Sequence, residues 1–456
     1  MNTEKRLASY VAQTKYEELP RETVHFVRNL TLGVLGTTIA GAAEQDCRRM
    51  RELVKGWGGK PEATIMTSSD KVPAHAAAFV NSIMARALDY EDGLPPGVHF
   101  SASIVPTAFA AAELAGGCAG KEFLTAVTLG SEVAAKLNSC SFYDGFDPTG
   151  IVSGIGATAA AGRIMGLDAG QMLDALALAF NKAGGSFQCN IDGVLAVRAI
   201  QGFVSQGAII CVQLAQQAIT GPPNFIEGVY GYLHLYGRDR FKSDDVLRVL
   251  GTSFDLHETL VKKYPSCGCT LSATEAALDL VKEHQFLPEE VARVDIRLTP
   301  YCCNLVGHPF KIGASPRVDA QFNVQYCVAN AILRRGSGLS HFEEPAIRDP
   351  KISRLVESIV VTPDPDLQEP GSERSLASHV KVTMKTGVIH EKMVKQAKGM
   401  PGNPMSQQEY VEHFMDCVDY APKRLQEKNA ARIVSTIERL EEVADVCELI
   451  PLLSAG

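Results

Sequence analysis

The sequence is poor in aromatic residues and has an acidic charge balance. Aromatic residues make up 7% of its 456 positions, with a single tryptophan, whereas glycine occurs 39 times. This composition favours closely packed helices over an aromatic-rich β-sandwich. The formal net charge is −8, so the chain has no broad positive field that would attract phosphates. We therefore expect neither nucleic acid nor an anionic membrane as a partner, and an anionic substrate would need a few local cations.

A membrane-spanning run and a secretion signal are also missing from the pattern. The longest uncharged stretch, residues 199–226, contains five glutamines and is interpreted as a buried helix. The first thirteen residues are polar and helical in character, unlike a signal peptide. The twelve cysteines are scattered, and adjacent ones such as Cys302 and Cys303 fit ordinary disulfide geometry poorly. The sequence therefore predicts reduced thiols and a cytoplasmic location.

Apolar spacing divides the chain into two regions. From the start to about residue 260 it is helical, as in residues 20–41, 120–137 and 168–185. Residues 289–300 instead alternate apolar and charged side chains, which is typical of a strand with one buried face.

The pattern after residue 300 completes this division. Residues 357–364 and 378–394 continue the strand pattern, the latter as a hairpin that turns at 385–387, and residues 319–336 predict a helix. Helical spacing then returns after residue 400. The prediction is a mainly α fold, in which residues 1–263 and 401–456 form a large all-helical domain and residues 264–400 form a smaller α+β domain.

Two familiar motifs are present only in part. The GIGATAAAG stretch at 154–162 matches a dinucleotide fingerprint, but no strand precedes it and no βαβ unit follows. The CGC stretch at 267–269 lacks a second cysteine or histidine pair at zinc spacing. We therefore predict neither a cofactor nor a metal, and interpret these stretches as a tightly packed helix and as buried thiols.

Four stretches concentrate polar groups within apolar surroundings. They are ALDYEDGLPPGVHFSASIVP (87–106), SFYDGFDPTGIVSG (141–154), LVKKYPSCGCT (260–270) and NVQYCVANA (323–331). Taken one at a time, each fits a solvated loop, a surface charge or a core tyrosine equally well. Their candidate functional residues are Asp89, His99, Tyr143, Asp147, Lys262, Lys263, Tyr264 and Tyr326.

In this order, the stretches resemble the MmgE/PrpD family. The similarity runs through ALDYEDG and VHFSASIVP, GFDPTGIVSG, TGPPNFIEG, KKYPSCG, FNVQYCVANAI and IRDPKISRL to KGMPGNPMSQQEY near the end. The resemblance implies a large helical domain built from both chain ends, a smaller α+β domain, a cleft between them and a homodimer. It also implies chemistry without redox cofactors on a small polycarboxylate, as in 2-methylcitrate dehydratase, cis-aconitate decarboxylase and iminodisuccinate epimerase.

Moving a proton at a carbon beside a carboxylate requires a base and cations. His99 is the predicted base, and Asp89 either orients its ring or acts itself as acid or base. Tyr326, Tyr143 or Lys262 would serve the opposite face, and cations would stabilise the enediolate. The predicted substrate contacts, with the lysines as the main cations, are Lys263, Arg198, Asp147, Arg86 and Tyr264.

This chain departs from the family pattern at four polar positions. Asp147 replaces the histidine of the GFHP element, Gly93 replaces a threonine, and Leu271 replaces a histidine. The family lysine falls at Val197 or Arg198. These changes favour an isomerase, with epimerisation of an imino-dicarboxylate such as iminodisuccinate as the expected reaction. A dehydratase or decarboxylase of a citrate-like acid and a non-catalytic metabolite-binding protein are the alternatives.

Overall fold

A computed structural model describes residues 2–192, 194–368, 375–421, 423 and 425–454. The chain divides into two compact units, Met1–Thr259 with Gln407–Gly456 and Leu260–Ser406. These boundaries fall at 259/260 and 406/407, whereas the sequence places them at 263/264 and 400/401. The first unit is helical and the second combines helices with a sheet, so the predicted mainly α fold with a smaller α+β part is confirmed.

The first unit is built from helices of very different lengths. Short strands lie at Ala63–Thr64 (β1), Lys71–Val72 (β2) and Asp92–Gly93 (β3), and a π-helical turn spans Thr149–Ser153. The α-helices are α1 (Thr3–Gln13), α2 (Arg21–Gly41), α3 (Gln45–Trp57), α4 (Ala74–Arg86), α5 (Ser101–Leu114), α6 (Gly120–Ser139), α7 (Gly154–Ile164), α8 (Ala169–Asn181), α9 (Gln188–Ile191), α10 (Ala196–Gln216), α11 (Tyr232–Leu235), α12 (Ser243–Leu247), α19 (Gln407–Tyr420) and α20 (Glu427–Ile437).

Small residues allow the central helices of this unit to approach closely. A Cβ on Gly130 of α6 would lie 2.6 Å from the Gly156 carbonyl oxygen of α7, and one on Gly156 would lie 2.5 Å from the Gly130 carbonyl oxygen. Only glycine fits such a backbone contact. The GIGATAAAG stretch therefore serves helix packing, because its first residues begin α7.

Helix α10 is the core helix of this unit. Among the described residues it is the one helix long and apolar enough to cross a membrane, but over half of its apolar window is buried. It packs on α4, α7 and α8. This burial agrees with the predicted core helix, while the cytoplasmic location stays a prediction.

A four-stranded sheet organises the second unit. Its strands are β5 (Val291–Leu298), β6 (Ile359–Pro363), β7 (Ser378–Met384) and β8 (Ile389–Val394), in the order β6-β5-β7-β8. The β5–β6 pair is parallel and the other two pairs are antiparallel. Val294, Ile296 and Leu298 are all buried, as the alternation predicts. A two-residue strand, β4 (Leu260–Val261), precedes the sheet in the chain.

Helices cover this sheet, and one of them differs from its prediction. They are α13 (Gly268–His284), α14 (Pro300–Val306), α15 (Pro316–Gln321), α16 (Val324–Arg334), α17 (Glu344–Ile347) and α18 (Pro350–Glu357). The single helix predicted over 319–336 is interrupted between α15 and α16. The Asn323 side chain accepts a hydrogen bond from the Tyr326 amide (3.0 Å) and starts α16 there. Arg335, with φ +54°, ends it one residue before the expected Gly336.

Candidate active site

The first group of candidate residues lies on the loop between α4 and α5. Leu94 and Val98 exchange two backbone hydrogen bonds of 2.8 Å, so the loop folds back on itself. The Asp92 carboxylate accepts hydrogen bonds from the Ser101 amide (3.4 Å) and the Ser101 hydroxyl, at the start of α5. These contacts bring the end of the loop back to its start, so His99 lies beside Glu91 and Asp92.

The His99 imidazole is oriented by two acceptors. Its Nδ1 lies 2.7 Å from the Asp92 carbonyl oxygen and 2.9 Å from Glu91 Oε1. A carbonyl oxygen can only accept, so Nδ1 carries the proton and the neutral ring has its lone pair on Nε2. The His99 side chain is 14% exposed. The ring is therefore fixed in the tautomer that allows Nε2 to accept a proton.

The backbone of His99 is held from two other elements. Its amide donates to Thr149 Oγ1 (3.2 Å), in the π-helical turn before α7. Its carbonyl accepts from Gln201 Nε2 (2.9 Å) of α10. Neither Thr149 nor Gln201 is among the sequence-predicted site residues, because nothing local in the sequence links them to His99.

Arg86 balances the buried carboxylates of this loop. Its Nη1 lies 2.5 Å from Asp89 Oδ1 and 3.1 Å from Glu91 Oε1, and all three side chains are at least nine-tenths buried. Burial lowers the pKa of Arg86, but the charges of Glu91 and Asp89 outweigh it and raise the pKa overall. Arg86 is thus a permanent cation, and its charge offsets the free-energy cost of burying two carboxylates.

The geometry adds Glu91 to the residues that could orient the His99 ring. Glu91 lies at Nδ1 of His99 and also pairs with Arg86. Asp89, with φ +53°, pairs with Arg86. Glu91 was missed although it stands in the same acidic stretch, because the sequence alone does not show which carboxylate the loop turns toward the imidazole. The roles of Asp89 and of Arg86 as a substrate contact stay predictions.

Burial raises the pKa of two further carboxyl groups near this loop. Burial raises the pKa of Asp92 to about 7, although its hydrogen bonds to Ser101 oppose the shift. Burial also raises the pKa of Asp147, which accepts a hydrogen bond from the Thr149 amide (2.9 Å). Since Thr149 also accepts the His99 amide, Asp147 is linked to the backbone of His99 through one residue.

Tyr143 lies next to this link. Its pKa is raised to about 12, first by burial and then by the charge of Asp147. Its ring makes edge contacts with Phe146 and Phe187, at centroid distances of 5.7 and 5.6 Å. The half-buried phenol therefore keeps its proton at neutral pH.

Three of these side chains could also hold a metal ion. Donor atoms of Asp89, Glu91 and His99 all lie within 4.8 Å of one another. However, a cation there would share both carboxylates with the guanidinium of Arg86, so its charge would be opposed at close range. The donor set fits a metal poorly, and the absence of a metal stays a prediction.

Arg198 begins the same helix that carries Gln201. Its Nη1 lies 2.8 Å from Asp46 Oδ2 of α3, and the side chain is buried. The structure thus gives this predicted cation a carboxylate partner within the protein. Its role as a substrate contact stays a prediction.

The remaining candidates belong to the second unit. Lys262 and Tyr264 are buried. Lys263 lies near Glu275. Burial raises the pKa of Glu275, and the charge of Lys263 opposes this shift. Tyr326 is fully buried, and its hydroxyl donates to the His341 carbonyl. Burial raises the pKa of Tyr326. This placement is that of a core tyrosine, and the catalytic role of Tyr326 stays a prediction.

Comparisons with known proteins cover both units. Residues 5–243 match the MmgE/PrpD N-terminal domain and residues 264–441 match the MmgE/PrpD C-terminal domain. Cis-aconitate decarboxylase of Homo sapiens is 23% identical over 98% of this chain and 93% of its own length. The Mus musculus enzyme is 22% identical, over 98% and 92%. The Aspergillus terreus enzyme is 20% identical, over 95% and 93%.

Proposed function

Because this chain belongs to the MmgE/PrpD family, we propose that it is a lyase that removes CO₂ or water from a citrate-like acid. The similarity to cis-aconitate decarboxylases over nearly the whole chain supports this reaction class. The observation that carries the proposal is the His99 imidazole, which Glu91 and the Asp92 carbonyl hold in one tautomer. The enzyme would use side chains alone, without a redox cofactor.

His99 would move the proton. Its Nε2 accepts or returns a proton at the carbon beside a substrate carboxylate, within the range of general acid–base catalysis. Once protonated, the imidazolium is stabilised by Glu91, whose buried charge lies 2.9 Å from Nδ1. The Arg86 guanidinium lies 3.1 Å from the same Glu91 oxygen and pairs with that carboxylate.

The negative charge that develops on the substrate needs a cation. Arg86 and Arg198 already have carboxylate partners. As the family resemblance implies, Lys262 and Lys263 are the proposed cations for the substrate carboxylates and the enediolate, through charge-assisted hydrogen bonds. Tyr143 is the proposed acid, because its phenol keeps its proton at neutral pH.

Epimerisation of an imino-dicarboxylate such as iminodisuccinate is the second candidate. It is favoured by Asp147, a buried carboxyl with a raised pKa at the position of a family histidine. Such a group keeps acid–base capacity but provides no imidazolium to protonate a leaving hydroxyl. Inversion needs only removal and return of one proton, so this substitution is compatible with it.

A single assay separates these reactions. The purified protein is incubated in heavy water with cis-aconitate, 2-methylcitrate or one stereoisomer of iminodisuccinate, and proton NMR follows each substrate. We expect CO₂ release or a new alkene signal from a citrate-like acid. Deuterium at the α-carbon together with the inverted stereoisomer would instead establish epimerisation. If no substrate is converted or exchanged, the non-catalytic alternative is favoured.

The proposed assembly is a homodimer formed through α10. Phe203, Ile210 and Leu214 recur along one face of this helix and are 56%, 39% and 38% exposed. Trp57 of α3 is 49% exposed and is connected to Phe203 through ring contacts with Phe79. An apolar face of this kind marks an association surface, and a twofold dimer would cover it symmetrically.

Substitution of Phe203 tests this surface. The wild-type protein is expected to elute as a dimer in size-exclusion chromatography with light scattering, and Phe203→Glu is expected to shift it to monomer. The matched control is Val388→Glu, in the hairpin of the second unit, where the valine is 51% exposed. A monomeric wild type, or a Phe203→Glu protein that stays dimeric, would rule out this interface.

A further inference from the structure

Three thiols of the second unit lie together and are not used by the proposed chemistry. Cys267 stands immediately before α13, Cys269 lies in its first turn and Cys302 lies in α14. The Cys269 thiol interacts with both the Cys267 and the Cys302 thiols, and these interactions together with burial raise its pKa. We refer to Cys267, Cys269 and Cys302 as the thiol cluster. From the sequence, the CGC stretch is interpreted as ordinary buried thiols. Cys302 is distant in the sequence, and only the fold brings it close to this stretch.

The members of the thiol cluster differ in access to solvent. Cys269 is 4% exposed and Cys302 is fully buried, whereas Cys267 is partly exposed. Cys302 Sγ also lies 3.8 Å from the Ser375 carbonyl oxygen, to which it donates. Cys267 is therefore the member that an oxidant in solution reaches first.

The position of Cys267 also favours its reactive form. It precedes a helix of 17 residues, and the helix dipole favours a negative charge at this end. Cys269 is two residues further along, and two residues span at most about 7 Å of extended chain. Disulfides require Cα atoms about 4.4–6.8 Å apart, so this pair can be joined by a small local adjustment.

We propose that Cys267 and Cys269 form a reversible oxidation site for hydroperoxides. The Cys267 thiolate attacks the peroxide, the O–O bond breaks, and sulfur is oxidised to a sulfenic acid while the peroxide is reduced to water or an alcohol. The Cys269 thiol then attacks the Cys267 sulfur and forms the S–S bond. The sulfenic hydroxyl leaves with the Cys269 proton as water, and a dithiol later restores both thiols.

Oxidation would change the turn that connects the lysine stretch to α13. The Cys267 carbonyl accepts from the Thr270 amide and hydroxyl (2.8 Å each), and its amide donates to the Gln321 carbonyl (3.0 Å). A ring closed between residues 267 and 269 competes with this arrangement. A loss of turnover through Lys262 would follow, and that consequence alone rests on the proposed function.

Mass spectrometry tests the site without an activity measurement. The reduced full-length protein is treated with hydrogen peroxide, its remaining thiols are blocked with N-ethylmaleimide, and it is digested with trypsin. Residues 264–282 form one tryptic peptide whose only cysteines are Cys267 and Cys269. We expect this peptide to carry no N-ethylmaleimide and to be lighter than the reduced, unlabelled peptide by two hydrogens, as an internal disulfide requires. Dithiothreitol should reverse the change. Full labelling after peroxide, or a cross-link to the peptide 298–311, would overturn the proposal.

Single substitutions assign the two roles. Cys269→Ser should leave a sulfenic acid on Cys267 that dimedone traps, whereas Cys267→Ser should abolish the disulfide. The matched control is Cys189→Ser, which removes another partly exposed thiol, on α9, and should change nothing. A peptide disulfide that persists in Cys267→Ser, or a dimedone adduct that is absent in Cys269→Ser, would contradict this order of steps.

Discussion

Replacing His99 with glutamine is expected to lower kcat by about 10²- to 10⁴-fold, the usual contribution of a general acid–base group. Glutamine can still donate toward the Asp92 carbonyl, but its amide has no lone pair that takes up a proton at neutral pH. KM should change little, since the backbone contacts of His99 with Thr149 and Gln201 do not involve the ring. Steady-state kinetics on the substrate identified by NMR measures both constants.

The control for this experiment is a histidine outside the site. His234 is 47% exposed and pairs with Asp239, so His234→Gln should leave kcat unchanged. Thermal melting of both variants verifies that they are folded. Undiminished turnover in a folded His99→Gln protein would remove His99 from the mechanism and with it the central step of the proposed function.

Replacing Lys136 with methionine is expected to lower the free energy of unfolding by about 3–5 kcal/mol, because it leaves buried charge without its partner. The side chain of Lys136 is 1% exposed, and its Nζ lies 2.9 Å from Asp255 Oδ1 and 3.4 Å from Glu132 Oε1. It also donates to the Arg248 carbonyl (2.8 Å). These contacts connect α6 to the segment 248–255, near the end of the Met1–Thr259 part of the helical unit. Urea unfolding of both proteins gives the difference.

The loss should depend on pH in a defined direction. Burial raises the pKa of Glu132 to about 7, and the charge of Lys136 lowers it. Without Lys136, the pKa of Glu132 in the folded protein rises further above its value in the unfolded chain. The stability contributed by the neutral carboxyl is then lost as the pH rises to this folded-state pKa. Lys136→Met should therefore be closer to wild type below a pH of about 6 than above a pH of about 8.

An exposed ion pair supplies the control for Lys136. Lys121 pairs with Glu17 at 2.9 Å, and these side chains are 53% and 67% exposed. Lys121→Met should leave the free energy of unfolding unchanged at every pH, since solvent screens this pair. Equal effects of the two substitutions would show that the Lys136 cluster contributes no more than a surface contact.

The fold was largely predictable because its signals are local. Val294, Ile296 and Leu298 alternate along β5, and this alternation directly reports which face is buried. The break between α15 and α16 was missed because apolar spacing continues across it. The signal that identifies the break is Asn323, a capping side chain in the middle of an apparently continuous helix.

The candidate site was predictable only in part. His99 and Asp89 stood out because carboxylates and an imidazole are concentrated in one apolar stretch. The pairing of Glu91 with His99 depends on how the loop closes between Leu94 and Val98, which is a property of three-dimensional structure. Gln201 comes from a distant helix, so no spacing rule connects it to His99.

Lys136 illustrates the same limit for stability. On the sequence it is one lysine of an amphipathic helix, where charged residues normally face water. Its burial follows from the return of Asp255 and Arg248 over α6, more than a hundred positions later in the chain. Burial of a charge is therefore visible only once the distant partners are in place.

The contact between Gly130 and Gly156 makes the imidazole sensitive to a change remote from it. Helix α7 continues directly from the π-helical turn in which Thr149 accepts the His99 amide. An alanine at Gly130 would meet the Gly156 carbonyl at 2.6 Å and displace α7 as a body. The π-helical turn would move with α7 and shift the Thr149 contact to His99. One added methyl group would therefore misplace the imidazole while every reacting group stays chemically intact.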